Sequence, residues 1–171
     1  PSYGKTYPDL KLPDQSGKVV QLSSFKGKIL IVEPIGMNCP DCQAFNGANS
    51  AGIGPFQNCQ PQRDLSSLEQ YLGQHGISLD DPRIVFVELL LYSPSMKAPT
   101  IQEAQAWTRH FRLGGANRVV LVGSDSLINQ ASYDMIPGFQ LVDRNFVLSS
   151  DCTGHNPKHD LARHLIPRLQ N

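Results

Sequence analysis

Apolar positions along this chain switch between two periods, and the switches mark out strands and helices in alternation. Tyr7 to Leu12 alternates weakly, Asp14-Gln15-Ser16-Gly17 reads as a turn, and Val19 to Leu22 is a second short strand. The N-terminus therefore predicts a β-hairpin. Lys28-Ile29-Leu30-Ile31-Val32 is a β-type run, and a helix should follow from Cys39 or Pro40, since proline suits the first helical position. Gly47, Gly52, Gly54, Pro55 and Pro61 keep that helix short. Asp64 to Gln74 carries Leu65, Leu68 and Leu72 at helical spacing, with Ser66 and Glu69 as a capping box. Arg83 to Tyr92 is a continuous apolar run, the pattern of a strand covered on both faces. Thr100 and Glu103 form a second capping box for a helix ending near Phe111, where Gly114-Gly115 stops it. Arg118 to Gly123 is a strand, and a short helical stretch over Ser126 to Ala131 follows it. Gly138 to Asp143 and Phe146 to Ser149 then flank an Asp143-Arg144-Asn145 turn. Asn156 is the expected cap of a last helix that starts at Pro157, buries Leu161, Leu165, Ile166 and Leu169, and is kinked or shortened by Pro167.

This order predicts an α/β fold: a central mixed β-sheet with helices on both sides and an N-terminal β-hairpin extension over residues 1–27. With 171 residues, 40% of them apolar, the chain is expected to form one domain over 1–171. Residues 44–63 read as a Gly/Pro-rich insertion. The 15 basic and 15 acidic residues cancel, and no basic stripe invites nucleic acid. No apolar run approaches transmembrane length. The chain opens at Pro1 without a signal peptide; a leader or membrane anchor upstream would lie outside this sequence.

The chemistry concentrates in Cys39-Pro40-Asp41-Cys42, between a strand and a helix. Two thiols at this spacing on a helix start lie within disulfide reach, and the unpaired N–H groups and dipole there stabilise a thiolate on the first sulfur. A strand-to-helix CxxC in an α/β pattern points to thiol–disulfide chemistry. The competing reading is half of a zinc site, completed by Cys152, His155 or His159. The four cysteines, Cys39, Cys42, Cys59 and Cys152, allow three connectivities if all pair. Pairing within the CxxC leaves Cys59 with Cys152 as a structural disulfide, the alternative being two free thiols. An even cysteine count favours an oxidising compartment.

The order of elements, the CxxC and the later proline-led hairpin together resemble the thioredoxin fold. Pro8-Asp9-Leu10, the Gly17-Lys18 turn, Leu22-Ser23 to Lys26-Gly27-Lys28, and Pro137-Gly138-Phe139-Gln140-Leu141-Val142-Asp143-Arg144-Asn145 resemble its TlpA-like branch within the redoxin group. These are bacterial extracytoplasmic thiol–disulfide oxidoreductases, so the resemblance implies a periplasmic or other extracytoplasmic setting. It implies a protein or small thiol or disulfide as substrate, and no organic cofactor. By position, Cys39 would be the attacking thiolate and Cys42 the resolving thiol. Pro137 would be the cis-proline beside the CxxC, presenting the backbone of Ile136 to substrate. Pro40 and Asn38 would share that substrate-binding surface. Glu33, six residues before Cys39, would be the buried acid that relays a proton to or from Cys42.

The chain also departs from that pattern. Asn38 stands where tryptophan usually precedes the first cysteine, which makes the surface less aromatic. Asp41 opposes thiolate formation on Cys39. A peroxiredoxin reading fails on spacing: counting from Pro34 puts Asn38 and Asp41 where threonine and cysteine are required. A thioredoxin-fold copper chaperone is the alternative from another class, since soft thiolates select Cu(I) and Met37 would be a soft neighbour. Such proteins usually space their cysteines by three and place a histidine before the late hairpin, which here is led by Met135-Ile136-Pro137.

Overall fold

The computed structural model describes residues 1–128, 130, 133, 136–152 and 157–170. Strand β1 (Lys11–Pro13) pairs antiparallel with β2 (Val19–Gln21). Asp14 closes their turn, its carboxylate accepting from the Ser16 N–H and hydroxyl and from the Lys18 N–H. The hairpin is shorter than its alternation suggests because its ends are used as core. Tyr7 and Leu22 are both buried, and Leu22 opens a 3₁₀ turn over Leu22–Phe25.

Five strands form the main sheet: β3 (Ile29–Gly36), β4 (Ile84–Tyr92), β5 (Arg118–Val122), β6 (Gln140–Val142) and β7 (Leu148–Asp151). Their spatial order is β5-β4-β3-β6-β7. The first three run parallel, and β6 and β7 are antiparallel to their neighbours. Strand β3 is central and buried from Leu30 onward, as its unbroken apolar run requires.

Helices α1 (Pro40–Phe45) and α2 (Leu68–Gly73) cross from β3 to β4, and α3 (Ile101–His110) crosses from β4 to β5. Both crossovers step the same way across the sheet, so the right-handed rule puts them on one face. There Ile31, Phe86 and Leu141 pack with Phe45, Leu68 and Leu72, while Ile35, Leu90 and Val120 pack with Cys42, Ala104 and Trp107. The C-terminal segment joins that face as α4 (Pro157–Asp160), a π turn (Leu161–Leu165) and α5 (Ile166–Leu169). The other face packs Leu30, Val32, Val85, Val87 and Leu89 against Tyr7, Leu12, Leu22 and Leu127. Among the described residues, helical cover is unequal. One face carries the α-helices, and the other carries the hairpin and 3₁₀ turns over Leu22–Phe25 and Asp125–Leu127.

The Thr100–Glu103 capping box forms as expected. The other does not: Ser67, not Ser66, caps α2 by accepting from the Gln70 N–H, while the Ser66 N–H donates to the Tyr71 hydroxyl. Strand β7 starts at Leu148 rather than Phe146, since Phe146 sits in the turn with φ of 65°. Pro167 does not end the last helix; the wide π turn precedes it, where the missing N–H would break the regular ladder. Ala131, Met135, His155 and Asn156 lie outside the described residues.

Candidate active site

The sheet delivers the two thiols. Strand β3 ends at Gly36, the Met37 N–H donates to the Tyr92 carbonyl at 2.8 Å, and the Cys39 N–H returns to the Gly36 carbonyl at 3.1 Å. This turn leaves Cys39 extended at the N-cap of α1 with Pro40 as the first helical residue. The Cys39 sulfur then does what a capping oxygen does elsewhere, accepting from the Cys42 N–H at 3.3 Å. Cys39 is half-buried, whereas Cys42 is fully buried among Ile35, Met37 and Trp107.

These surroundings separate the two thiols electrostatically. The Cys42 side chain and the N–H groups of Cys42 and Asp41 favour a Cys39 thiolate and hold its pKa below the ordinary value, against burial and the Asp41 charge. Burial pushes the Cys42 pKa well up, and hydrogen bonding to Cys39 and the charges of Cys39 and Glu33 add to it. The first thiol is thus the more readily ionised of the two.

Ile136 and Pro137 lie beside them. The Ile136–Pro137 peptide bond is cis, Pro137 is buried, and Ile136 packs on the cluster that holds Cys39. Gly36 sits between the two segments: a Cβ built there would lie 3.6 Å from Cys39 Cβ and 3.8 Å from Ile136 Cγ2. Asn38 is exposed, and its amide donates to the Met96 sulfur at 3.0 Å. Pro40 is exposed, its carbonyl accepting from the Gln62 N–H at 3.1 Å. Glu33 is 1% exposed and points to the α1 face, within electrostatic reach of Cys39 and Cys42. Burial first, then the charges of Glu88 and Cys39, raise its pKa well above the ordinary carboxyl range. Pro34 does not turn it away, because Pro34 occupies the next position of the same regular strand and points to the other face.

The long segment between α1 and α2 walls the site. Buried Gln43 holds it: its amide donates to the carbonyls of Met37 at 2.9 Å and Phe56 at 3.0 Å, and its oxygen accepts from the Phe56 N–H at 2.7 Å. Phe56 stacks edge-on against Trp107 and His110, and His110 hydrogen bonds to the Gly54 carbonyl at 2.9 Å. The wall and Asn38 bound a groove of about 520 Å³ flanking Cys39, lined by Met37, Asn38, Pro40, Phe56, Cys59 and Pro94.

The structure does not bring Cys59 and Cys152 together. Cys59 is half-buried in the wall and donates to the Asn38 carbonyl at 3.2 Å. Cys152 is buried with Phe139, Leu141 and Leu165 under the C-terminal helix, and burial raises its pKa to about 11. All four cysteines are free thiols. Among the described residues, no group of three or more His, Cys, Asp and Glu side chains is arranged to hold a metal ion. His159 is exposed and Cys152 is buried. No described helix is long and apolar enough to cross a membrane.

Sequence reasoning missed Gln43 and Glu88. A glutamine inside a short helix carries no pattern of its own. Glu88 interrupts an apolar run, which was its only signal.

No family model and no curated protein matches this sequence. Solved structures share its fold. A thiol:disulfide interchange protein of the thioredoxin family from Chlorobium tepidum superposes with a TM-score of 0.60 at 15% identity, covering 100% of this chain and 99% of that one. The thioredoxin domain of a thiol-disulfide oxidoreductase from Bacteroides vulgatus gives 0.56 at 18% identity over 95% and 96%. BsSco, a Sco-family cytochrome c oxidase assembly protein with a disulfide switch, gives 0.58 at 15% identity over 97% and 90%. The fold is that of the thioredoxin-like proteins.

Proposed function

We propose that this chain is a thiol–disulfide oxidoreductase working through Cys39 and Cys42. The observation that carries the reading is the asymmetry of the pair. A half-buried sulfur at a helix N-cap accepts an N–H from the residue of a second, fully buried thiol. In the reducing direction, the Cys39 thiolate attacks one sulfur of a substrate disulfide R–S–S–R′. A Cys39–S–S–R bond forms, the S–S bond of the substrate breaks, and R′–S⁻ leaves with the electron pair. Cys42 then loses its proton to the Glu33 carboxylate and attacks the Cys39 sulfur. The Cys39–Cys42 disulfide forms and R–S⁻ departs, so the substrate gains two electrons and the protein loses two. The oxidising direction is the reverse. No organic cofactor enters either.

Substrate would lie in the groove along Asn38 and Pro40, with Ile136 and the Pro137 turn on the other side of Cys39. The Gln43-anchored wall narrows access, which favours an extended segment of a protein partner or a small thiol. An extracytoplasmic compartment, where disulfides persist, belongs to the same reading.

The test is trapping. Cys42→Ser should accumulate a mixed disulfide at Cys39 when incubated with oxidised glutathione, and Cys39→Ser should accumulate none at Cys42. Equal trapping at both positions would overturn the reading.

A further inference from the structure

Glu33 is not alone beneath the thiols. In the parallel register of β3 and β4 it stands directly opposite Glu88. Residues paired in this way point to the same face, here the one filled by Ile31 and Ile35 on one strand and Phe86 and Leu90 on the other. Adjacent strands lie about 4.8 Å apart, so the two carboxyls are neighbours. Each glutamate is 1% exposed, and each has one carboxyl oxygen, Oε1, that is buried without a hydrogen-bond partner. Two carboxylates this close and this dry cannot both be charged cheaply.

The two members face different surroundings. Glu33 faces Cys39 and Cys42. Glu88 faces the Asn46 amide at the end of α1, the Trp107 indole on α3 and the Arg118 guanidinium on β5, which is itself paired to Glu69 at 2.8 Å. Asn46 also donates to the Cys42 carbonyl at 3.0 Å, so it links Glu88 to the helix turn that carries the second thiol. Asn46, Glu69, Arg118 and Ser67 line a cavity of about 210 Å³, separate from the groove at Cys59 and large enough for water. One carboxyl thus meets the sulfur, and its partner sits behind two polar side chains that open on a second cavity.

We propose that Glu88 is a positioning residue for proton transfer at Cys42: the register-paired carboxyls of Glu33 and Glu88 hold one proton between them, and Glu88 exchanges it with the cavity bounded by Asn46 and Arg118. The proposal rests on the thiol–disulfide reading and deepens it. When Cys42 attacks the Cys39 mixed disulfide, its S–H proton passes to Glu33, the Cys39–Cys42 bond forms and R–S⁻ leaves. With Glu33 protonated, the proton already held by the pair shifts to solvent through Glu88. The charge on the carboxyl pair is then the same before and after the resolving step.

The test is Glu88→Gln, which keeps the shape and removes the charge. In protein carrying ¹³C-labelled glutamate carboxyls, with Glu33→Gln to assign the signals, the native pair should titrate in two linked steps. In Glu88→Gln a single Glu33 step should remain, at least about one pH unit lower, because the neighbouring anion is gone. The pH profile for release of glutathione from the Cys39 mixed disulfide should shift in the same direction. Should Glu88→Gln fail to fold, Glu33→Gln gives the mirror reading, a Glu88 step that falls. A Glu33 titration and release profile unchanged in Glu88→Gln, with exchange still proceeding, would overturn the relay alone. A native protein with the linked titration but no exchange with glutathione would overturn the thiol reading and the relay together.

Discussion

The Cys42 N–H donates to the Cys39 sulfur at 3.3 Å, so the resolving residue of the proposed pair also stabilises the attacking one. The contact lowers the Cys39 pKa, while the same neighbourhood, above all burial, raises that of Cys42. A brief pulse of iodoacetamide on the reduced protein at pH 7 should therefore label Cys39 first. Cys59 should follow more slowly, being partly exposed but shifted upward by burial and by Cys39. Cys42 and Cys152 should react only on unfolding. Peptide mass mapping checks the order, and early labelling of Cys42 would contradict it.

Asp41 works against the Cys39 thiolate as the weakest of its influences. Asp41→Asn should speed alkylation of Cys39 at pH 6 by roughly twofold, since a partly exposed charge near water shifts a neighbour by well under one pKa unit. Slower alkylation would mean that the aspartate side chain contributes through its geometry rather than its charge.

Gln43 is fully buried and bridges Met37 to Phe56 through backbone bonds on both sides. Gln43→Ala strands those groups and should cost about 1–3 kcal/mol in chemical denaturation. Freed of its anchor, the segment bearing Cys59 should become protease-sensitive before the sheet does.

Stability should fall as pH rises. Burial raises the Glu88 pKa from 4.5 to about 7, and that of Glu33 also moves well up. Both bind a proton more tightly folded than unfolded, so the folded state is favoured in full below the unfolded pKa and loses that advantage as pH climbs through the folded one. From Glu88 alone the loss between pH 4.5 and about 7 is on the order of 3 kcal/mol. Urea melts at pH 5 and pH 8 should show it, and Glu88→Gln should flatten the difference.

Much of this was legible in the sequence, for physical reasons that differ by element. The CxxC, the Pro137 turn and the Thr100–Glu103 box are local signals, with cause and effect within a few residues of each other. Glu33 was legible from its distance to Cys39. The partner of Glu33 was not, because pairing with Glu88 depends on strand register across 54 intervening positions. The placement of Cys59 was hidden for a similar reason: the Gly/Pro-rich segment is held by Gln43 and Phe56 as well as by its own turns. The α2 cap fell one residue later than the Ser66–Glu69 pattern indicated, with the Ser67 hydroxyl accepting from the Gln70 N–H.

Equilibration in glutathione buffers of graded ratio, with acid trapping, alkylation and mass readout, shows whether Cys39 and Cys42 form a reversible redox couple. One two-electron transition is expected, in which Cys39 and Cys42 lose the alkyl label together while Cys152 keeps it. Full alkylation of both at every ratio, or a glutathione adduct at Cys39 that never resolves to the internal disulfide, would contradict it.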